Sequence, residues 1–188
     1  MDVRALTFTP ATGWSEPFPA LDGPDTLVVA FGARGFDTDP APLEALVKAY
    51  PSSCAVGCST SGEISDTKVE DGSFSVAVAR FGHTRLKRVS AAVTGAESSF
   101  AAGEALAAGL DAEDLKAVFV LSDGLNVNGS ELVRGFNERF QGRVIVTGGL
   151  AGDGDRFQRT WVLDEGRPQS HRVVAVGFDG GAVRVGHG

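Results

Sequence analysis

The sequence predicts an α/β fold with mixed sheets, flanking helices and two similar strand-helix-strand-hairpin halves. Three observations carry that expectation. Apolar runs of strand length alternate with amphipathic stretches of helix length. Several of these strand runs end in glycine and small polar residues. The order of elements in the first half recurs in the second at a common offset. The chain has 188 residues, 43% apolar and 22% charged. That is an ordinary globular composition, able to bury a core of its own.

Residues 1–24 read as an N-terminal strand or lead-in segment, and 25–188 as the main domain. "TLVVAFGA" (26–33) is a continuous β-branched and apolar run, the pattern of a strand buried on both faces. "DTDPAPLEALVKAY" (37–50) follows as a helix, with Asp39 as candidate cap, Pro40 in the first turn and Leu43, Leu46 and Val47 on one face. "SCAVGC" (53–58) is a second buried strand. "SFSVAVARF" (73–81) and "TRLKRVSAAV" (84–93) alternate like strands, and "FGHT" between them signals a hairpin. "DTKVEDG" (66–72) reads as a charged, solvated connection. In the second half, "ESSFAAGEALAAGL" (97–110) is an alanine-rich helix and "KAVFVLSD" (116–123) a buried strand. "NGSELVRGFNERF" (128–140) is an amphipathic helix carrying Leu132, Val133, Phe136 and Phe140 on one side, with Asn128 or Ser130 as cap. "RVIVTGG" (143–149), "RTWVLDEG", "HRVVAVGFDG" and "AVRVGHG" complete the chain as β.

The repeat lies at about 26–94 and 117–187. Val29 and Gly57 match Val120 and Gly148 at an offset of 91, and "VAVARFG" (76–82) matches "VAVGFDG" (174–180) at 98. On this reading the glycine loops "GCSTSGE" (57–63) and "TGGLAGD" (147–153) are equivalent and face one crevice.

The net charge is −7, which argues against nucleic acid or anionic lipid as the main partner. No segment has the apolar length of a membrane span, and the N-terminus lacks the apolar core of a secretory signal. Cys54 and Cys58 form neither a disulfide framework nor a zinc set. A cytoplasmic location is expected.

The glycine loops lack the lysine of a phosphate-binding P-loop and open no helix, so nucleotide binding is not indicated. Ligands of α/β sheets bind outside the carboxyl ends of strands. That rule places Cys58, Ser59, Thr60, Ser61, Gly62, Glu63, Asp123, Asn126, Gly148, Gly149 and Asp153 as candidate binding residues. Asp123 is the candidate partner for a ligand amine. A structural reading, in which Asp123 only organises the turn at 124–126, competes with it. Cys58 or Ser59 as the nucleophile of a hydrolase- or transferase-like enzyme is an alternative, but nothing in the sequence brings His83, His171 or His187 near them.

"GCSTSGEI", "VFVLSDGLNVNGSELV" and "VIVTGGLAGDG", in this order and spacing, resemble the N-terminal half of the FIST domain. The resemblance spans roughly 25–188. It implies a sensory, small-ligand-binding module of bacterial signal transduction, acting on amino acids or related small polar molecules without catalysis. No cofactor is expected, although some family members are haem-binding gas sensors. The partner it implies is a C-terminal FIST region or a downstream signalling protein.

Overall fold

The computed structural model describes residues 1–181 and 183–186. Its first half runs β1 (Asp2–Thr9), β2 (Gly13–Trp14), β3 (Thr26–Ala33), α1 (Ala41–Ala49), β4 (Cys54–Thr60), β5 (Glu63–Ser65), β6 (Lys68–Glu70) and β7 (Phe74–Arg80). The second runs β8 (Arg85–Ala92), α2 (Ser99–Leu110), β9 (Leu115–Ser122), α3 (Gly129–Phe140), β10 (Ile145–Leu150), β11 (Val162–Asp164), β12 (Arg167–Gln169) and β13 (Arg172–Asp179). Seven strands form one sheet in the order β12-β11-β4-β3-β7-β1-β2, four form another in the order β10-β9-β13-β8, and β5-β6 stand as a separate pair.

The two large sheets stack face to face, with helices outside both. The strand patterns explain why. Along β13, Val173 and Ala175 pack toward α2 and α3, while Val174 and Val176 pack against the other sheet. Along β3, Val28 and Ala30 meet α1 through Leu43 and Leu46, while Leu27 turns to the inter-sheet layer. A strand covered on both sides has no polar face, hence the unbroken apolar runs. Phe8, Trp14 and Phe18 from the lead-in segment pack on the α1 side, so residues 1–24 complete a core. Asn128 caps α3, its side chain accepting from the N–H groups of Ser130 and Glu131. Among the described residues no helix is long and apolar enough to cross a membrane.

The halves share strand order and register. β4 lies parallel to β3, β7 antiparallel to β3, and β1 antiparallel to β7. β10, β9, β13 and β8 repeat that arrangement. Val28 faces Val78, and Val118 faces Gly177, the positions 90 and 99 residues further on that present the same face to the helices, so the sequence offsets of 91 and 98 are each one residue out here. Left-handed residues recur too: Asp66 and Glu165 at φ 54° and 50°, Gly72 and His171 at 77° and 56°. The parallel pairs carry Gly57 onto Gly148. Ala30 faces Gly57 and Val120 faces Gly148, Ala30 and Val120 both lying on the helix side of their sheets, and a Cβ on either glycine would meet the facing carbonyl oxygen.

Several local expectations differ. The strands at 73–81 and 84–93 do not form a hairpin. β7 has β3 and β1 on its two edges, so "FGHT" carries the chain into the other sheet, where β8 pairs with β13. Asp39 makes no cap; Pro40 takes that position and Pro42 sits in the first turn. Within the expected loop 66–72, Lys68–Glu70 pairs with β5. Val133 stays exposed on α3. No strand forms at 183–186, and Ala182, His187 and Gly188 lie outside the described residues.

α2 and α3 approach through facing glycines. A Cβ on Gly103 would lie 2.3 Å from the Leu132 carbonyl oxygen, and one on Gly135 2.3 Å from that of Phe100. Alanine has the better helix propensity by about 1 kcal/mol, yet each substitution forces the helices apart. We expect Gly135→Ala to lower the unfolding free energy by about 1–3 kcal/mol, read from the urea midpoint. An unchanged midpoint would show that the helix contact is not tight.

Candidate functional site

β3 and β4 run parallel, so their carboxyl ends open on one side of the sheet. The loop 151–160 comes across these ends from the other half. Ser59 anchors it: its N–H donates to the Trp161 carbonyl at 2.9 Å, its carbonyl accepts from Gly152 N–H at 2.8 Å, and its hydroxyl oxygen accepts from Trp161 N–H at 3.0 Å. The Ser61 hydroxyl oxygen accepts from Gly154 N–H at 3.0 Å. A Cβ on Gly152 would lie 2.5 Å from that oxygen, so the two loops meet this closely only with glycine there. The two glycine loops thus share one face of the molecule.

Between them lies a cavity of about 560 Å³ lined by residues 33–35, 60–63, 71–72 and 153–156, a volume ordinary for small ligands. Arg34 and Arg156 give it positive charge, and Asp71 and Asp155 negative. Among the described residues Arg156, Asp71 and Asp155 have no ion-pair partner. Arg156 is held by the Asp153 carbonyl at 3.3 Å, and Arg34 lies 3.8 Å from the Asp153 carboxylate. A second hollow of about 560 Å³ lies beside Ala5, Val29, Phe31 and Ile64, with Asp66 as its one charged side chain. Its lining is mostly apolar, with the hydroxyls of Thr60, Ser65 and Ser75 beside the Asp66 carboxylate.

Thr60, Ser61, Gly62, Glu63 and Asp153 line the charged cavity, and the structure places the other candidates elsewhere. Arg34, Asp71, Asp155 and Arg156 were not among the candidates. Arg34 follows directly on the end of β3, so the strand-end rule reaches it; the other three carry no sequence signal of their own.

Three buried carboxylates at these loops serve as internal acceptors. Asp153 takes the N–H groups of Phe157, Gln158 and Arg159 at 3.1, 2.8 and 3.0 Å. The Arg159 and Gln158 N–H groups, outweighing burial and aided by Phe157 and Arg34, hold its carboxyl below the usual range. Glu63 accepts from the Thr60 hydroxyl at 2.7 Å and from Ser73 N–H at 3.1 Å, closing the base of the β5-β6 hairpin.

Asp123 is 1% exposed. It accepts from the N–H groups of Leu125 at 2.8 Å, Asn126 at 3.0 Å and His171 at 2.7 Å. The Asn126 amide and the Thr160 hydroxyl complete the set at 3.2 and 3.1 Å. Burial pushes its pKa up, but the N–H groups of His171, Leu125 and Asn126 prevail and hold it low. This carboxylate joins the end of β9 to the starts of β11 and β13, the geometry of the competing turn reading.

Gly148 and Gly149 lie on β10, beside the exposed Leu150. Ser59 is fully buried. Burial pushes the Cys58 thiol up to about 12, so it is a neutral thiol at physiological pH. His83 and His171 are exposed and line neither the cavity nor the hollow at Cys58. That hollow, about 250 Å³, is below ordinary ligand size.

A family model described as the FIST N domain matches residues 26–188. No curated protein matches the chain.

Asp123 and Asp153 have folded pKa values below their unfolded ones. Their stabilisation is therefore present above about pH 4 and lost as pH falls through the folded values. The melting temperature should drop steeply below about pH 4, and less steeply in an Asp123→Asn, Asp153→Asn double variant that starts lower at pH 7. Asp123→Asn alone leaves a buried donor unpaired and should cost about 1–3 kcal/mol at neutral pH. Equal acid slopes in variant and parent chain, measured by calorimetry, would contradict this.

Proposed function

The chain belongs to the FIST N domain family, whose domains are associated with signalling, and we propose that it is a non-catalytic sensory domain binding a small polar molecule. The cavity at residues 60–63 and 153–156 is its binding site. An amino acid or a close relative is the ligand class.

One observation carries this reading. Two guanidinium groups and four carboxylates line a single hollow; internal donors fill Glu63 and Asp153, while Arg156, Asp71 and Asp155 have no ion-pair partner among the described residues. A zwitterion satisfies both signs at once. Its carboxylate takes Arg156, with Arg34 beside it, and its ammonium group takes Asp71 or Asp155. The left-handed Gly72 and Gly154, at φ 77° and 76°, let the backbone approach the ligand without a side chain in the way. Chemistry is not supported here: the Cys58 thiol is buried and neutral, the Ser59 hydroxyl is committed to Trp161, and among the described residues no imidazole lines the cavity. The ligand ties the 60–63 loop of one half to the 153–156 loop of the other, and that closure is what a C-terminal FIST region or downstream protein reads.

A thermal-shift screen of the amino acids and small carboxylates, followed by calorimetric titration, tests the proposal. A ligand at a hundred times its dissociation constant adds about 2.7 kcal/mol of stability. Charge-assisted hydrogen bonds contribute about 1.5–3 kcal/mol. Arg156→Ala should therefore weaken binding about tenfold or more while leaving the unliganded melting temperature in place. Asp123→Asn should lower the melting temperature and leave affinity unchanged. Absence of any shift across the screen would sink the reading.

A further inference from the structure

The two halves are alike in strand order but unlike in what covers them. In the first, the outer edge of β4 is closed by β11, with Val162 opposite Cys58 and the two strands antiparallel. β10 holds the same place in the second half, and its outer edge pairs with no described strand.

β10 has none of the usual edge protection. Its sequence, IVTGGL, contains no charge and no proline, and Ile145 and Leu150 are 47% and 52% exposed. The other sheet edges are blunted: β2 has two residues, β12 has three with Pro168 among them, and β8 carries Arg85, Lys87 and Arg88. An exposed apolar edge strand is a template for strand addition.

The hairpin that matches this vacancy is also on the molecule. β5-β6 repeats β11-β12, with the left-handed Asp66 and Glu165 at the same turn position. Yet β11 is buried throughout, whereas Ile64 and Val69, facing each other across β5-β6, are 67% and 69% exposed.

We propose that the β5-β6 hairpin of a second copy of this chain docks antiparallel on β10, as β11-β12 docks on β4. Each copy gives one hairpin and receives one, so the contact closes as a two-fold dimer of four alternating halves. Pairing Val162 with Cys58 implies Ile64 opposite Gly148, since Gly148 is the counterpart of Gly57. Beside Gly148, on the α3 side, the hollow walled by Leu132, Val133 and Val146 takes the apolar side chain.

A Cβ on Gly149 meets nothing within 4 Å, so the edge can be charged without disturbing the fold. Sedimentation velocity should show the parent chain as a dimer, and Gly149→Lys and Ile64→Lys as monomers with parent-like circular dichroism. Mixing Ile64→Lys with Val133→Glu places opposite charges at the predicted hollow and should restore the dimer; mixing Ile64→Lys with Val133→Lys should restore it far less. A monomeric parent chain, or a dimer that survives Gly149→Lys, would overturn the proposal. A monomeric Gly149→Lys beside a dimeric Ile64→Lys would replace the hairpin by pairing of β10 with β10.

Discussion

Ser59 and Trp161 exchange hydrogen bonds across the boundary between the two halves, and the site depends on that exchange. Trp161 is buried and its indole N–H reaches the Ala33 carbonyl at 3.3 Å, so one residue is fastened to the ends of both β3 and β4. The adjoining β11 then has a single place to lie, along β4. The preceding loop is drawn over the strand ends, with Gly152 and Gly154 seated on Ser59 and Ser61. Without that seat, residues 153–156 would have no fixed relation to residues 60–63 and there would be no cavity.

The acidic residues divide by task. Asp123, Asp153 and Glu63 are buried, and burial of a carboxylate is costly unless its oxygens are filled. Here backbone N–H groups and hydroxyls fill them, so the three carboxylates act as cores around which turns are folded. Asp164 follows the same rule with guanidinium partners, pairing with Arg88 and lying 3.7 Å from Arg172. Recognition is left to charged groups nearer the surface, Arg34 and Arg156 against Asp71 and Asp155. An acidic residue at a strand end is thus ambiguous: the same position serves a ligand or a turn, and the number of internal donors around it decides.

The halves share a topology and differ in cover. One edge strand carries a hairpin and is sealed; its counterpart, β10, remains bare. One hairpin buries its whole first strand, β11, in the core; its counterpart buries only its base, through Glu63. The binding cavity sits where these inequalities meet, since residues 60–63 and 71–72 flank the free hairpin while 153–156 precede the sealed one. Occupation of the cavity and occupation of the β10 edge therefore act on the same short stretches of chain.

Much of this was legible in the sequence. Strands buried on both faces leave unbroken apolar runs, which located β3, β4, β9 and β13. The 3.6-residue spacing of Leu132, Phe136 and Phe140 located α3, and repeated offsets exposed the two similar halves. The glycine loops were marked as one locus, and five of the marked residues line the cavity. Pairing between distant strands was not legible, because a turn signal such as "FGHT" is local while the edges available to β7 are settled by β1 and β3. The role of Asp123 was legible only as one of two alternatives and that of Glu63 not at all, since the deciding donors arrive from residues 160, 171 and 73. Arg156, Asp71 and Asp155 carry no local signal; only the folding of one half's loop over the other half's strand ends brought them together. Local sequence determined the elements and their repeat, and long-range hydrogen bonding decided which side chains were left facing the cavity.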